Sequence, residues 1–96
     1  PDAVRRLAPH LVNFYFQNVR LDQAGAHTFK SRAVGPVSLS YVALDDPGGI
    51  EIAPLIATLK ECGYDGWVSV HQPLREGQSV TDAIDEAARV FCPLVS

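Results

Sequence analysis

GYDGWVSVHQP, Gly63 to Pro73, puts a turn, a strand and a stop into one short run. Gly63 takes the left-handed conformation that closes a helix, and Tyr64-Asp65-Gly66 turns the chain over. From Trp67 to His71 the residues alternate. Val68 and Val70 point one way; Trp67, Ser69 and His71 point the other. Pro73 has no N–H to offer a ladder, so the strand, expected over 67–71, ends before it. His71 then stands at the C-terminal end of the strand, on its polar side. In parallel α/β proteins ligands bind at that end.

Working outward, the segment before this run reads as an amphipathic helix over 52–62. Ile52, Leu55, Ile56 and Leu59 recur at helical spacing, and Pro54 sits in the first turn, where its missing N–H costs little. After the run, Ser79 is placed to cap a helix over 80–92, with Asp82 three residues on as a partial capping box. Ile84, Ala87, Ala88 and Phe91 are its expected buried stripe, and Pro93 is its expected stop. Upstream, Leu11 to Gln17 alternates like the Trp67 strand. Val12, Phe14 and Phe16 share one face; Asn13, Tyr15 and Gln17 share the other. Residues 2–8 read as helical turns interrupted by Pro9. Between the two strands, residues 18–49 read as a long loop rich in Gly and Pro, with a short strand near Val37 to Leu44. His27, Lys30 and Arg32 lie in it, as a cationic lid or as scattered solvated charges. The order strand, helix, strand, helix makes a βαβα unit with parallel strands and a right-handed crossover.

The chain has 96 residues, enough for one small domain or a piece of a larger one. Its formal net charge is −3, and it has no basic run, which argues against non-specific nucleic-acid binding. No apolar stretch approaches the roughly 20 residues that span a bilayer. The start lacks the layout of a secretory signal, so a cytoplasmic protein is expected. There is no initiator Met and no Met elsewhere, so the chain is expected to be a segment of a longer one. Cys62 and Cys92 have no metal-motif or disulfide-framework spacing and are expected to be buried thiols.

LAPHLVNFYFQNVRL (7–21), IEIAPLIATLKECGYDGWVSV (50–70) and DAIDEAARVF (82–91) together resemble the C-terminal end of xylose-isomerase-like (β/α)8 TIM barrels. This superfamily holds sugar phosphate isomerases and epimerases, inosose dehydratases and endonuclease-IV-type enzymes. The resemblance implies that the chain supplies the last two strands and helices of such a barrel. A whole barrel runs to about 250 residues. In the family the seventh strand ends in a His-x-Lys-Asp-Val-Arg type of motif whose His binds a divalent metal. Here Tyr15 stands for the His, Gln17 for the Lys and Asn18 for the Asp, while Arg20 matches. The last strand of the family ends in a metal-binding Glu; here His71 stands there.

The resemblance thus implies an isomerase of carbohydrate metabolism, acting on a sugar, keto-sugar or sugar phosphate by metal-assisted proton transfer. Its cofactor would be Mn²⁺, Mg²⁺ or Zn²⁺. It points to His71 as metal ligand or catalytic acid/base, and to Tyr15, Gln17, Asn18 and Arg20 as substrate contacts. Replacing Glu with His removes a negative ligand and keeps a nitrogen one; a phenol is a weak ligand that still hydrogen-bonds hydroxyls. A structural imidazole remains the other reading of His71, a packing residue that of Tyr15, and a surface ion pair that of Arg20. The alternative function is a non-catalytic barrel that binds a ligand or partner. An abasic-site endonuclease fits least, given the acidic balance. No nucleic-acid or membrane partner is expected. Apolar surface meant for neighbouring strands would be covered by another copy or by the remainder of the barrel. Trp67, at the start of its strand, is expected to pack at the barrel bottom.

Overall fold

The computed structural model describes residues 1–95. In chain order it contains α1 (Asp2–Leu7), a 3₁₀ turn (Ala8–His10), β1 (Phe14–Phe16), β2 (Val19–Leu21), β3 (His27–Ser31), β4 (Gly35–Tyr41), α2 (Ile52–Glu61), β5 (Val68–Val70) and α3 (Val80–Val95). β1 and β5 pair in parallel, with Phe14 opposite Val68 and Phe16 opposite Val70. Strands β2, β4 and β3, in that order, make a separate antiparallel sheet. The architecture is α/β, with a two-stranded parallel sheet and a three-stranded antiparallel one.

The helices pack on one face of the β1–β5 pair. Phe16 from β1, Ile52, Ile56 and Leu59 from α2, and Val90 and Phe91 from α3 are buried together with Val4 and Leu44. Phe14 and Val68 press against this cluster from the sheet. The Phe16 and Phe91 rings meet edge to face at 5.5 Å. Phe16 is only 3% exposed, so its burial contributes about 1.5–3 kcal/mol.

Local chemistry sets the helix ends. Gly63 has φ +74°. The Gly63 N–H donates to Lys60 O and the Tyr64 N–H to Leu59 O, both at 3.0 Å, the paired bonds of a Schellman closure. At α3, Ser79 Oγ accepts from the Asp82 N–H at 3.0 Å while Asp82 accepts from the Ser79 N–H at 3.1 Å. That is a reciprocal capping box with Asp in the third position. These bonds hold the Asp82 carboxyl below its ordinary range.

Several expectations are corrected. Residues 18–49, expected as a loop with one short strand near Val37 to Leu44, hold three strands, β2, β3 and β4, of which β4 meets that expected strand. β3 and β4 form a hairpin whose three-residue loop, Arg32 to Val34, ends on Gly35 at φ +77°, the left-handed position such a loop requires. Ser31 Oγ accepts from the Ala33 and Val34 N–H groups in that loop. A Cβ at Gly25 would collide with the Leu39 carbonyl, so Gly25 permits close approach to β4. Pro93 lies inside α3. It removes one helical hydrogen bond in the final turns, and Leu94 still packs against the core. The buried face of α3 is Val90 and Phe91 with Ala87 and Leu94; Ile84 and Ala88 are exposed. Cys62 and Cys92 are also exposed, one at the C-cap of α2 and the other on the outer side of α3. The strands expected over 11–17 and 67–71 shrink to their central residues. The antiparallel sheet stands away from the helical layer. The radius of gyration is accordingly 14.6 Å, against about 13 Å for a compact chain of this length.

Candidate functional site

One edge organises the region around His71. Phe14 N–H donates to Trp67 O at 3.2 Å, and Phe16 O accepts from His71 N–H at 2.9 Å. Two residues on, Asn18 O accepts from Val42 N–H at 3.1 Å, and then Asp22 N–H donates to Ser38 O at 3.0 Å. Phe14, Phe16, Asn18 and Asp22 therefore turn their backbones toward the same side. Residues 14–22 form one extended run that pairs first with β5 and then, where β5 stops, with β4.

Gln72 sits at the changeover. An antiparallel pair normally exchanges two N–H···O bonds. Asn18 and Val42 make only one, because the Gln72 side chain is wedged into the other. Its Oε1 accepts from the Asn18 N–H and its Nε2 donates to Val42 O, both at 2.7 Å. The side-chain amide replaces a ladder bond and ties the end of β5 to the antiparallel sheet. No reading of the sequence singled Gln72 out. The one available signal was an amide just before Pro73, where the backbone ladder has to end.

Unbroken alternation decides which candidates share a face. Tyr15, Gln17, Val19 and Leu21 lie on one side of the run; Phe14, Phe16, Asn18, Arg20 and Asp22 lie on the other. Tyr15 and His71 meet edge-on, ring centroids 6.0 Å apart. Both are exposed, Tyr15 by 66%. Gln17 is exposed on the same side, and Ser69, opposite Tyr15, lies between them. The structure thus brings Tyr15, Gln17 and His71 together at the C-terminal ends of two neighbouring parallel strands.

Asn18 and Arg20 go elsewhere. Asn18 is 0% exposed. Its Nδ2 donates to Ala43 O at 2.8 Å, with Leu44 O and Asp46 O at 3.3 Å, and its Oδ1 accepts from the Ile50 N–H at 2.7 Å. It is the hub of the 43–50 loop, and its amide groups are committed to that role. Arg20 lies opposite Ser40 on the reverse side, 3.9 Å from Asp22 in an exposed ion pair. Their spacing after Tyr15 and Gln17 is right for a motif, but their parity in the strand turns them away from His71.

Trp67, expected to be packed, is 82% exposed on the Tyr15 side, because no described residue covers that face. A shallow, open cleft lies on the helix side, lined by Ile50, Ile52, Pro54, Val90 and Leu94 among others.

The loop after His71 is held by α3. Arg75 donates to both carboxylate oxygens of Glu86 at 3.1 Å, and Gln78 donates to it at 3.2 Å. The Leu44 N–H adds a contact at 3.4 Å. Burial alone would raise the Glu86 pKa; the Arg75 guanidinium, with Gln78 and Leu44, outweighs it and lowers the carboxyl below its ordinary value.

As metal donors, Tyr15, Gln17 and His71 offer one imidazole, one weak phenol and one amide. Mn²⁺ and Mg²⁺ favour carboxylates, and a Zn²⁺ site needs three or more protein ligands. Among the described residues no group of three His, Cys, Asp or Glu side chains is placed to hold a metal ion. These three side chains alone do not make up a ligand set for the expected ion. What they do fit is a neutral hydroxylated ligand, since phenol, amide and imidazole each donate and accept. Among the described residues no helix is long and apolar enough to cross a membrane. Comparison with protein-family models, with curated proteins and with solved structures finds no match.

Proposed function

We propose that this chain is the closing βαβα portion of a cytoplasmic, xylose-isomerase-like barrel, and that its strand ends bind a sugar or keto-sugar. The observation that carries the reading is the meeting of Tyr15 and His71 at 6.0 Å, on adjacent parallel strands whose opposite face is filled by helices. Support also comes from the open state of the β1–β5 pair. Parallel sheets are normally covered on both faces, and here the Tyr15 side lies bare. Further strands, from the remainder of the barrel or another copy, would enclose it.

On this reading Tyr15 and Gln17 hold sugar hydroxyls. His71 supplies the imidazole, the side chain of the three that serves as general acid or base. A binding barrel without catalysis is the second reading, favoured by the lack of a carboxylate among Tyr15, Gln17 and His71. Incubation with keto- and aldo-sugars in deuterated water separates the two. Sugar binding with deuterium entering beside the carbonyl, lost in His71→Ala, supports an isomerase. Binding without exchange supports the binding barrel. Binding of no sugar by the wild-type chain sinks both.

A further inference from the structure

The face that carries Tyr15 and His71 does not end at the strand tips. Val19 lies opposite Tyr41, Leu21 opposite Leu39, and Leu39 opposite His27. Residues opposite one another share a face, so Tyr41, Leu39, His27, Val37 and Phe29 continue the side on which Tyr15 and Gln17 lie. His71 follows Val70, which pairs with Phe16, and is therefore level with Gln17. Tyr41 comes two residues further along, and His27 two more. From Tyr15 to His27 the rise is roughly 20 Å, at about 3.3 Å per residue.

The character of the surface changes along that rise. The near end is polar, with Tyr15, Gln17, Ser69 and His71. The far end is apolar and aromatic: Phe29 is 52% exposed and Leu21 76% exposed, and the His27 and Tyr41 rings stack edge to face at 5.0 Å. The cations of this sheet lie behind it. Arg20 shares the reverse side with Ser40, and Lys30 shares it with Pro36. The far end thus presents rings and aliphatic groups, and no phosphate-binding cation from these strands.

We propose that His27, Phe29 and Tyr41 form the distal half of the binding surface that begins at Tyr15 and His71, and that they take an apolar or aromatic group carried by the sugar. The inference rests on the sugar-binding reading and narrows it to an aryl or alkyl sugar conjugate. A ligand polar at one end and apolar at the other matches the gradient along the strands. A sugar phosphate does not.

The test is calorimetry on the full chain with D-glucose, D-xylose, their phenyl β-glycosides and glucose 6-phosphate. The phenyl glycosides are expected to bind about tenfold tighter than the free sugars, near the upper end for one aromatic contact. In His27→Ala and Phe29→Ala that ratio falls toward one. Both residues are exposed, so the variants are expected to fold, which circular dichroism checks. Tyr15→Phe weakens sugar and glycoside alike. Equal affinity for glycoside and sugar overturns the distal site alone, as does a tenfold ratio that survives both substitutions or a gain from phosphate. Binding of none of the probes overturns the sugar-binding reading and this inference with it. Sedimentation showing a dimer that Phe29→Ser dissolves would mean that a second copy covers the face, and would also overturn the inference.

Discussion

Replacing Gln72 with leucine removes the wedge between the two sheets without opening space. The amide accepts from the Asn18 N–H and donates to the Val42 carbonyl, both at 2.7 Å. Asn18 is 0% exposed and Val42 8%, so both backbone groups lie out of reach of bulk water. A buried donor or acceptor left without a partner costs about 1–3 kcal/mol. Two such groups, with some relaxation of the chain, put Gln72→Leu at about 2–4 kcal/mol of lost stability. Alanine leaves room for a bridging water, so Gln72→Ala is expected to cost less, about 1–2 kcal/mol. This order is diagnostic, because a side chain that mattered only for packing would make alanine the worse substitution. Gln72→Glu keeps the acceptor for Asn18 but sets a carboxylate against the Val42 carbonyl. That arrangement disfavours the charged form and raises its pKa. Relative to wild type at the same pH, the Glu variant is therefore intact below the ordinary carboxylate range and loses stability as pH rises through it. Urea denaturation followed by circular dichroism across this range reads all three variants. A leucine variant within about 0.5 kcal/mol of wild type, or one more stable than the alanine variant, would refute the wedge.

Three other substitutions probe the supports around the site. A Cβ at Gly49 would collide with the Asn18 amide, which Ala43 and Ile50 hold in place. Gly49→Ala is accordingly expected to cost about 1–3 kcal/mol by overpacking, and an unchanged thermal midpoint would contradict the Asn18 hub. At Gly63 nothing lies within 4 Å of the added methyl, and φ is +74°. The roughly 1–2 kcal/mol lost in Gly63→Ala is thus backbone strain alone, and the larger Gly63→Val should add little beyond its own φ preference. Glu86 titrates below its ordinary 4.5, so its stabilisation is complete above that pH and drains away as pH falls through the lowered value. Glu86→Gln should cost about 1–2 kcal/mol near neutral pH and flatten this acid limb; a variant as acid-sensitive as wild type would remove Glu86 from the account.

What the sequence made legible was local chemistry. Gly63 closes its helix as its position demands, and Ser79 and Asp82 cap theirs. The alternation of Phe14, Tyr15 and Phe16 against Val68, Ser69 and Val70 is enough to put Tyr15 and His71 on the polar sides of their strands. The antiparallel sheet was hidden by its glycines and prolines, which look like loop chemistry. Yet its alternation is complete: Val37, Leu39 and Tyr41 on one side, Ser38 and Ser40 on the other. Gly25 and Gly35 serve a close approach and a hairpin there; they do not break strands. Asn18 and Arg20 fall at positions of the family motif, but they stand three and five residues after Tyr15, and in a run that stays extended an odd offset puts a side chain on the opposite face. The stripe of α3 was drawn one turn too early, because Ile84 lies ahead of the point where α3 meets Phe16, at Phe91.

The wedge also links stability to binding in a way that can be checked. His71 hydrogen-bonds Phe16 through its own N–H, and the next side chain, Gln72, fixes β4. The position of His71 relative to Tyr41 thus passes through one residue. If the ligand spans both, loosening Gln72 separates the two halves of its surface. Gln72→Ala should then weaken a phenyl glycoside more than the free sugar, which touches the near half alone. Gly63→Ala lowers stability by a similar amount, but from the far end of β5, and should leave the preference for the glycoside intact. Titrating both variants at a temperature where each is fully folded compares them at equal occupancy of the native state. If both lose the preference equally, the effect belongs to general destabilisation, and Gln72 has no part in joining the two halves.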